Sequence, residues 1–218
     1  MKHEWRKKEK NYYIPKTKPE VVNMESFKFI MIKGSGNPNS EEFSKAVGTL
    51  YSLSYAIKMM PKKGINPSGY FDYVVYPLEG IWDLDEEGRK KEHFDKNNLV
   101  YTIMIRQPDF VTDELFQLAL DMTKKKNPNN LLDEVKFGVI DEGMCVQMMH
   151  IGPFDDEYKT FEIMKQFCED NNLYIKNKAH REIYISDFRK TSQDKLKTVL
   201  RYMVETKQGE DSCEDNRY

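Results

Sequence analysis

Arg181-Glu182-Ile183-Tyr184-Ile185-Ser186-Asp187 is the stretch on which the reading of this chain turns. Side chains of an extended backbone alternate between faces, so Ile183 and Ile185 point one way while Glu182, Tyr184 and Ser186 point the other. One face asks for an apolar core, and the other presents a carboxyl group beside a phenol. If that second face lines an apolar cleft, the carboxylate is partly desolvated, its pKa rises, and it can hold a cationic ligand or handle protons. The competing reading is a glutamate on a solvated sheet face, because acidic side chains are seldom buried.

This strand closes the second of two similar segments. In the first, residues 27–33 form a short apolar strand, 34–38 a turn, and Asn39 caps a helix whose third position carries Glu42. That helix runs to about Met60. Its Phe43, Val47, Leu50, Leu53, Ile57 and Met60 recur at three- and four-residue spacing, and Pro61 ends it. Residues 70–82 and 99–107 follow as extended stretches, with the charged insert 83–98 as the hairpin loop between them. The order then recurs: a strand at 144–151, a Gly152-Pro153 turn, Asp155 as cap, a helix from Glu157 to about Asp170, and closing strands at 181–187 and 198–204. Tyr158, Phe161, Met164, Phe167 and Cys168 give that second helix its apolar face. Residues 112–126 read as a connecting amphipathic helix and 136–140 as a short extra strand.

Two copies of one strand-helix-strand-strand unit predict an α+β fold: an antiparallel sheet with helices on one face and a central ligand groove. The expected divisions are an N-terminal arm at 1–23, a body at 24–205 and a disordered acidic tail at 206–218. Repeat 1 covers about 24–110 and repeat 2 about 135–205, with the connecting helix at 112–126 between them. With the helices outside, the groove is expected where two half-sheets meet, since ligands favour such junctions.

The chain has 218 residues, long enough for a substantial core without disulfide or metal. Lys and Arg number 34 against 36 Asp and Glu, so no global field draws it to nucleic acid or an anionic membrane. Three widely separated cysteines, Cys145, Cys168 and Cys213, suit reduced thiols. The first ten residues lack the apolar core of a signal peptide, and no apolar run approaches membrane-spanning length. The expectation is a cytoplasmic protein with no nucleic-acid or membrane partner of its own. Five of residues 2–10 are Lys or Arg, interrupted by Glu4 and Glu9, while Trp5, Tyr12 and Tyr13 suggest an arm that packs on the body.

Candidate chemistry gathers where the repeats correspond. Tyr76-Pro77-Leu78-Glu79-Gly80-Ile81-Trp82 sits where the second unit has the Glu182 strand, so Glu79 and Glu182 are expected to converge with Tyr76, Trp82 and Tyr184 on one groove. That would be an aromatic box with acidic walls, which attracts cations and stacks flat ligands at about 0.5–2 kcal/mol per cation-π contact. His150 and Phe154 lie beside it in the second unit as further ligand contacts. Ordinary core packing is the competing reading for each aromatic. No pair of histidines has metal-ligand spacing, so neither a metal nor a cofactor is expected. Walker, dinucleotide and nucleophile-elbow motifs are absent from the sequence.

These residues carry a family resemblance. Lys2-His3-Glu4-Trp5-Arg6, Gly34-Ser35-Gly36-Asn37-Pro38-Asn39, the segment 76–82, His150-Ile151-Gly152-Pro153-Phe154, and the segment 181–187 with Arg189-Lys190-Thr191 together resemble the stand-alone branch of the GyrI-like small-molecule-binding family over nearly all of residues 2–205. The resemblance implies a duplicated fold and a cleft for aromatic or cationic drug-like molecules, with a glutamate on a closing strand as acidic anchor, here Glu182. It also implies hydrolysis of cyclopropane-bearing alkylating compounds, in which Glu182 activates water and Tyr184 or Tyr76 stabilises the developing oxyanion. Two other roles stay open: a non-catalytic sensor or sequestering protein, and a partner of a gyrase. The oligomeric state is not legible.

Overall fold

Alternating stretches of the chain become nine antiparallel strands, and the period-3.6 stretches become helices laid on one side of them. The computed structural model describes residues 2–188 and 190–207. In chain order its elements are α1 (Trp5–Lys8), α2 (Lys10–Tyr13), β1 (Glu20–Met24), β2 (Phe27–Ser35), α3 (Glu41–Lys58), β3 (Leu78–Leu84) and β4 (Leu99–Gln107). Then follow α4 (Asp113–Lys126), β5 (Lys136–Ile140), β6 (Gly143–Ile151), α5 (Glu157–Asp170), β7 (Leu173–Ile175), β8 (His180–Tyr184) and β9 (Lys197–Thr206). The sheet runs β1-β6-β9-β8-β3-β4-β2-β5, with β7 paired to β9. One repeat is β2-α3-β3-β4 and the other β6-α5-β8-β9. Pairing of β3 with β8 fuses them into a continuous sheet.

Several boundaries moved for local reasons. Ser40, not Asn39, caps α3: its Oγ accepts the Phe43 N–H at 3.2 Å, an interaction worth about 1 kcal/mol. A 3-10 turn at Phe154–Asp156 precedes α5, so Asp155 is not its cap. The stretch 70–77 joins the sheet side only through a bridge of Tyr73 to His3. Strands β1 and β7 escaped sequence reading because they are short and flanked by polar residues. The disordered-tail expectation falls almost wholly outside the described residues.

On the helix side, Leu50, Leu53 and Ile57 of α3 are fully buried over β2 and β4, and Met164 and Cys168 of α5 are buried over the other half. Leu118 of α4 stays half exposed while Phe116 stacks on Phe137 at 5.5 Å. Tyr158 of α5 faces solvent, because its buried face is Glu157, Thr160, Met164 and Cys168.

The opposite side is closed by the N-terminal arm. Trp5 is buried and donates its Nε1–H to the Val75 carbonyl at 3.1 Å. Beneath the arm lies an ionic network taken out of water. Arg181 reaches Glu79 at 2.7 Å and Glu142 at 2.8 Å, and Arg201 meets Glu142 at 3.4 Å and Gln147 at 2.8 Å. A second cluster joins Arg106 to Glu9. No helix among the described residues is long and apolar enough to cross a membrane.

Burial alone would raise the Glu142 carboxyl, but Arg181 and Arg201 hold it below its ordinary range. A carboxyl depressed on folding contributes stability above its unfolded pKa and loses it as pH falls through the folded one. Glu142→Ala leaves two buried guanidinium groups short of charge and is expected to cost about 3–5 kcal/mol in urea unfolding at neutral pH. On acidification the gap between wild type and variant should close; a gap that is constant with pH would rule out the ionic origin.

Candidate functional site

Strands β3 and β8 lie at the middle of the sheet, between the half covered by α3 and the half covered by α5. The register Gly80↔Glu182 and Trp82↔His180 puts these four residues on the helix side together with Tyr184, and Arg181, Ile183 and Glu79 on the arm side. Glu182 keeps only 13% of its side chain exposed. Its two oxygens are engaged separately: Tyr184 donates its O–H to Oε2 at 2.7 Å, and His180 Nε2 lies 2.9 Å from Oε1. Trp82 donates its Nε1–H to the Tyr184 oxygen at 2.8 Å. The order Trp82 to Tyr184 to Glu182 is thus a one-way donor chain ending on a carboxylate. Burial, and then Glu182, raise the Tyr184 phenol well above its ordinary range, so it stays a donor.

Gly80 makes the chain possible. A Cβ at position 80 would sit 2.4 Å from Trp82 Nε1, so the indole can lie across the strand only because that side chain is missing. Gly80 stays in the ladder with β4 and β8; it opens space and does not interrupt pairing. Rings enclose the network from both sides. Phe43 of α3 packs on Trp82 at 5.8 Å between centroids, Phe154 meets Tyr184 edge-on at 5.9 Å, and Phe161 of α5 meets His180 at 4.6 Å.

A second carboxyl stands in this cluster, and sequence reasoning missed it. Glu157, in the first turn of α5, is 6% exposed and lies beside Glu182 and Thr198. Burial and then the Glu182 charge push its pKa well above the usual carboxylate range. Glu157 Oε1 and Thr198 Oγ1 are buried without a hydrogen-bond partner in good geometry. Such atoms beside a buried acid pair ask for a partner. The missed signal was periodic: Glu157 stands at i of the series i, i+3, i+7, i+11 that buries Thr160, Met164 and Cys168.

Of the residues singled out in the sequence, the structure brings together Trp82, Glu182, Tyr184 and Phe154. It separates two others from them. Glu79 points to the arm side and is buried in its ion pair with Arg181, because it sits one residue from Gly80 on an alternating strand. Tyr76 also lies on the arm side, donating to Glu9 at 2.7 Å under the Arg106 guanidinium. The two acids therefore do not converge. His150 is next to the cluster, but both of its ring nitrogens are occupied, by Thr160 Oγ1 at 2.8 Å and the Pro153 carbonyl at 3.0 Å. It braces the turn that carries Phe154 and Glu157. No metal-holding group of His, Cys, Asp and Glu occurs among the described residues.

Comparison with known proteins agrees with this fold. The sequence profile of the GyrI-like small molecule binding domain matches residues 17–204. A solved structure from Listeria innocua described as a hydrolase is 40% identical, covers 94% of this chain and 100% of its own, and superposes with a TM-score of 0.85. Another from Listeria innocua, described as an uncharacterized conserved protein, is 41% identical over the same shares with a TM-score of 0.87. The C-terminal domain of EcmrR shares the fold at 14% identity and a TM-score of 0.53, covering 87% of this chain and 98% of that domain. No curated protein matches. The chain belongs to the GyrI-like family of small-molecule-binding domains.

Proposed function

We propose that this protein binds flat aromatic or cationic small molecules in the cleft between α3 and α5, and that it hydrolyses strained electrophilic ones such as cyclopropane-bearing alkylating compounds. The observation that carries the reading is the acid pair: Glu182, fixed by Tyr184 and His180, beside a buried Glu157 whose carboxyl is pushed upward by burial and by Glu182, in an aromatic surround. A general base and a general acid side by side are what addition of water across a strained ring requires. The hydrolase description of the 40% identical Listeria innocua protein supports the same reaction class.

In this scheme the substrate is a cyclopropane conjugated to a carbonyl, stacked against the Trp82 and Phe154 side of the cleft. Glu182 takes a proton from water as the water oxygen bonds to a ring carbon. The ring C–C bond breaks, and its electron pair moves through the conjugated system to the carbonyl oxygen, which takes the proton of Glu157. The single ring-opened product carries both the new alcohol and an enol or phenol, and proton transfer between the adjacent carboxyls resets the pair. Tyr184 has a different part from the one its sequence suggests. Its O–H is committed to Glu182, so it orients the base, and the oxyanion is met by Glu157 instead.

Incubation with a cyclopropanoid alkylator is expected to yield a ring-opened product by mass spectrometry. Glu182→Gln should lower kcat by about 10²–10⁴-fold, and a variant that turns over as fast as wild type refutes the role. Trp82→Phe, which removes one donor from the chain, should cost about fivefold. Saturable binding of planar cationic dyes without product would leave a binding protein and no enzyme.

Glu157 supplies a separate check. A carboxyl raised on folding contributes stability below its unfolded pKa, and that contribution is lost as pH rises through the folded value. Thermal melts should therefore show wild type losing stability on the alkaline side, with Glu157→Gln flatter and more stable there. The same substitution should remove the proton donor and lower turnover; parallel melting curves for the two proteins would contradict a buried, protonated Glu157.

A further inference from the structure

A hollow lies on the arm side, where β6 and β8 end and β9 begins beneath the N-terminal arm. It encloses about 340 Å³, at the small end of the range for ligand pockets. Its floor is apolar, formed by Met149, Ile151 and Ile185, and Ile151, the last residue of β6, is 49% exposed. Its rim carries Arg6, Lys16 and Lys197, and no acidic side chain lines it. None of these three cations pairs with a carboxylate among the described residues. Around this apolar floor the three side chains therefore leave positive charge that no carboxylate among the described residues neutralises.

Arg6 is held in place. It donates one N–H to the Ile185 carbonyl at 2.5 Å and lies over the Trp5 ring at 4.6 Å. The guanidinium has five N–H donors, so most remain for a ligand. Partial burial lowers its pKa, with no acid to offset the lost hydration. Such a group asks for a counter-anion, and its planar fork matches a carboxylate two bonds at a time.

We propose that this hollow is a binding site for a small amphipathic carboxylate, an acyl or arylalkyl acid. The tail lies on Met149, Ile151 and Ile185, and the head group meets Arg6, Lys16 and Lys197. The apolar floor selects against small inorganic anions. The site is distinct from the Glu182 cleft, which lies on the other side of the same strands, and it does not depend on the function proposed for that cleft.

The probe is octanoate, followed by isothermal titration calorimetry with the full chain. One saturable site per chain is expected, with affinity falling about fourfold for each methylene removed from the probe. Octanamide should bind at least about tenfold more weakly, as should octanoate to the Lys16→Glu/Lys197→Glu double variant. Both lysines are solvent-exposed, so the variant should keep its melting temperature and its dye binding at the Glu182 cleft. Ile151→Asp, at a half-exposed position, is a second, independent block of the floor. The proposal falls if octanoate shows no saturation, if acetate binds as well as octanoate, or if both variants bind like wild type. It also falls if Glu182→Gln, and not the lysine changes, alters octanoate binding.

Discussion

Arg181 has one place to go. Its guanidinium is 2% exposed and bridges Glu79 and Glu142 under the N-terminal arm. A buried guanidinium without such partners would cost several kcal/mol, and only the arm side of the sheet offers them. Slipping β8 by one residue would turn Arg181 under the helices and press Glu182 against Glu79 and Glu142. The ion pairs therefore set register as much as they stabilise. Because strand side chains alternate, holding Arg181 on one face holds Glu182 on the other.

That arrangement sorts the buried acids into two kinds. Glu9, Glu79 and Glu142 lie on the arm side, each against an arginine. Glu157 and Glu182 lie on the helix side with no lysine or arginine against them among the described residues; His180 is the nearest cationic candidate. Charge that is neutralised on one face is left to protons on the other. The rigid middle of the sheet then places the donor chain from Trp82 through Tyr184 without a loop in it, which favours a preorganised site over one assembled by ligand.

How much of this could be read beforehand follows from how far each signal reaches. The duplicated units were legible because α3 and α5 carry periodic apolar stripes, and β2, β4 and β9 are long strands rich in β-branched and aromatic residues. The facing of Glu182 followed from alternation within one strand. The facing of Glu79 relative to Glu182 did not, since it depends on the β3–β8 register, and the register is decided by Arg181 finding acids more than 35 residues away in sequence. Tyr76 was misplaced for the same reason, because the arm that claims it through Glu9 lies far from it in sequence. Glu157 hid in an acidic run, Asp155-Asp156-Glu157, that reads as a solvated helix start. Only its phase against Met164 and Cys168 marks it as inward.

The acid pair also constrains which ligand uses are compatible. A cation placed against Glu157 and Glu182 lowers the cost of ionising both, so it expels the proton that the pair would otherwise share. Binding a cation and donating a proton are then opposed uses of one site, and they move oppositely with pH: affinity for a cation rises as the pair ionises, whereas acid-assisted ring opening fades. A neutral flat electrophile leaves the proton in place and has both functions of the pair available to it. Under the proposed hydrolysis, neutral conjugated compounds are therefore the natural substrates and planar cations the competitive inhibitors, with inhibition strengthening as pH rises.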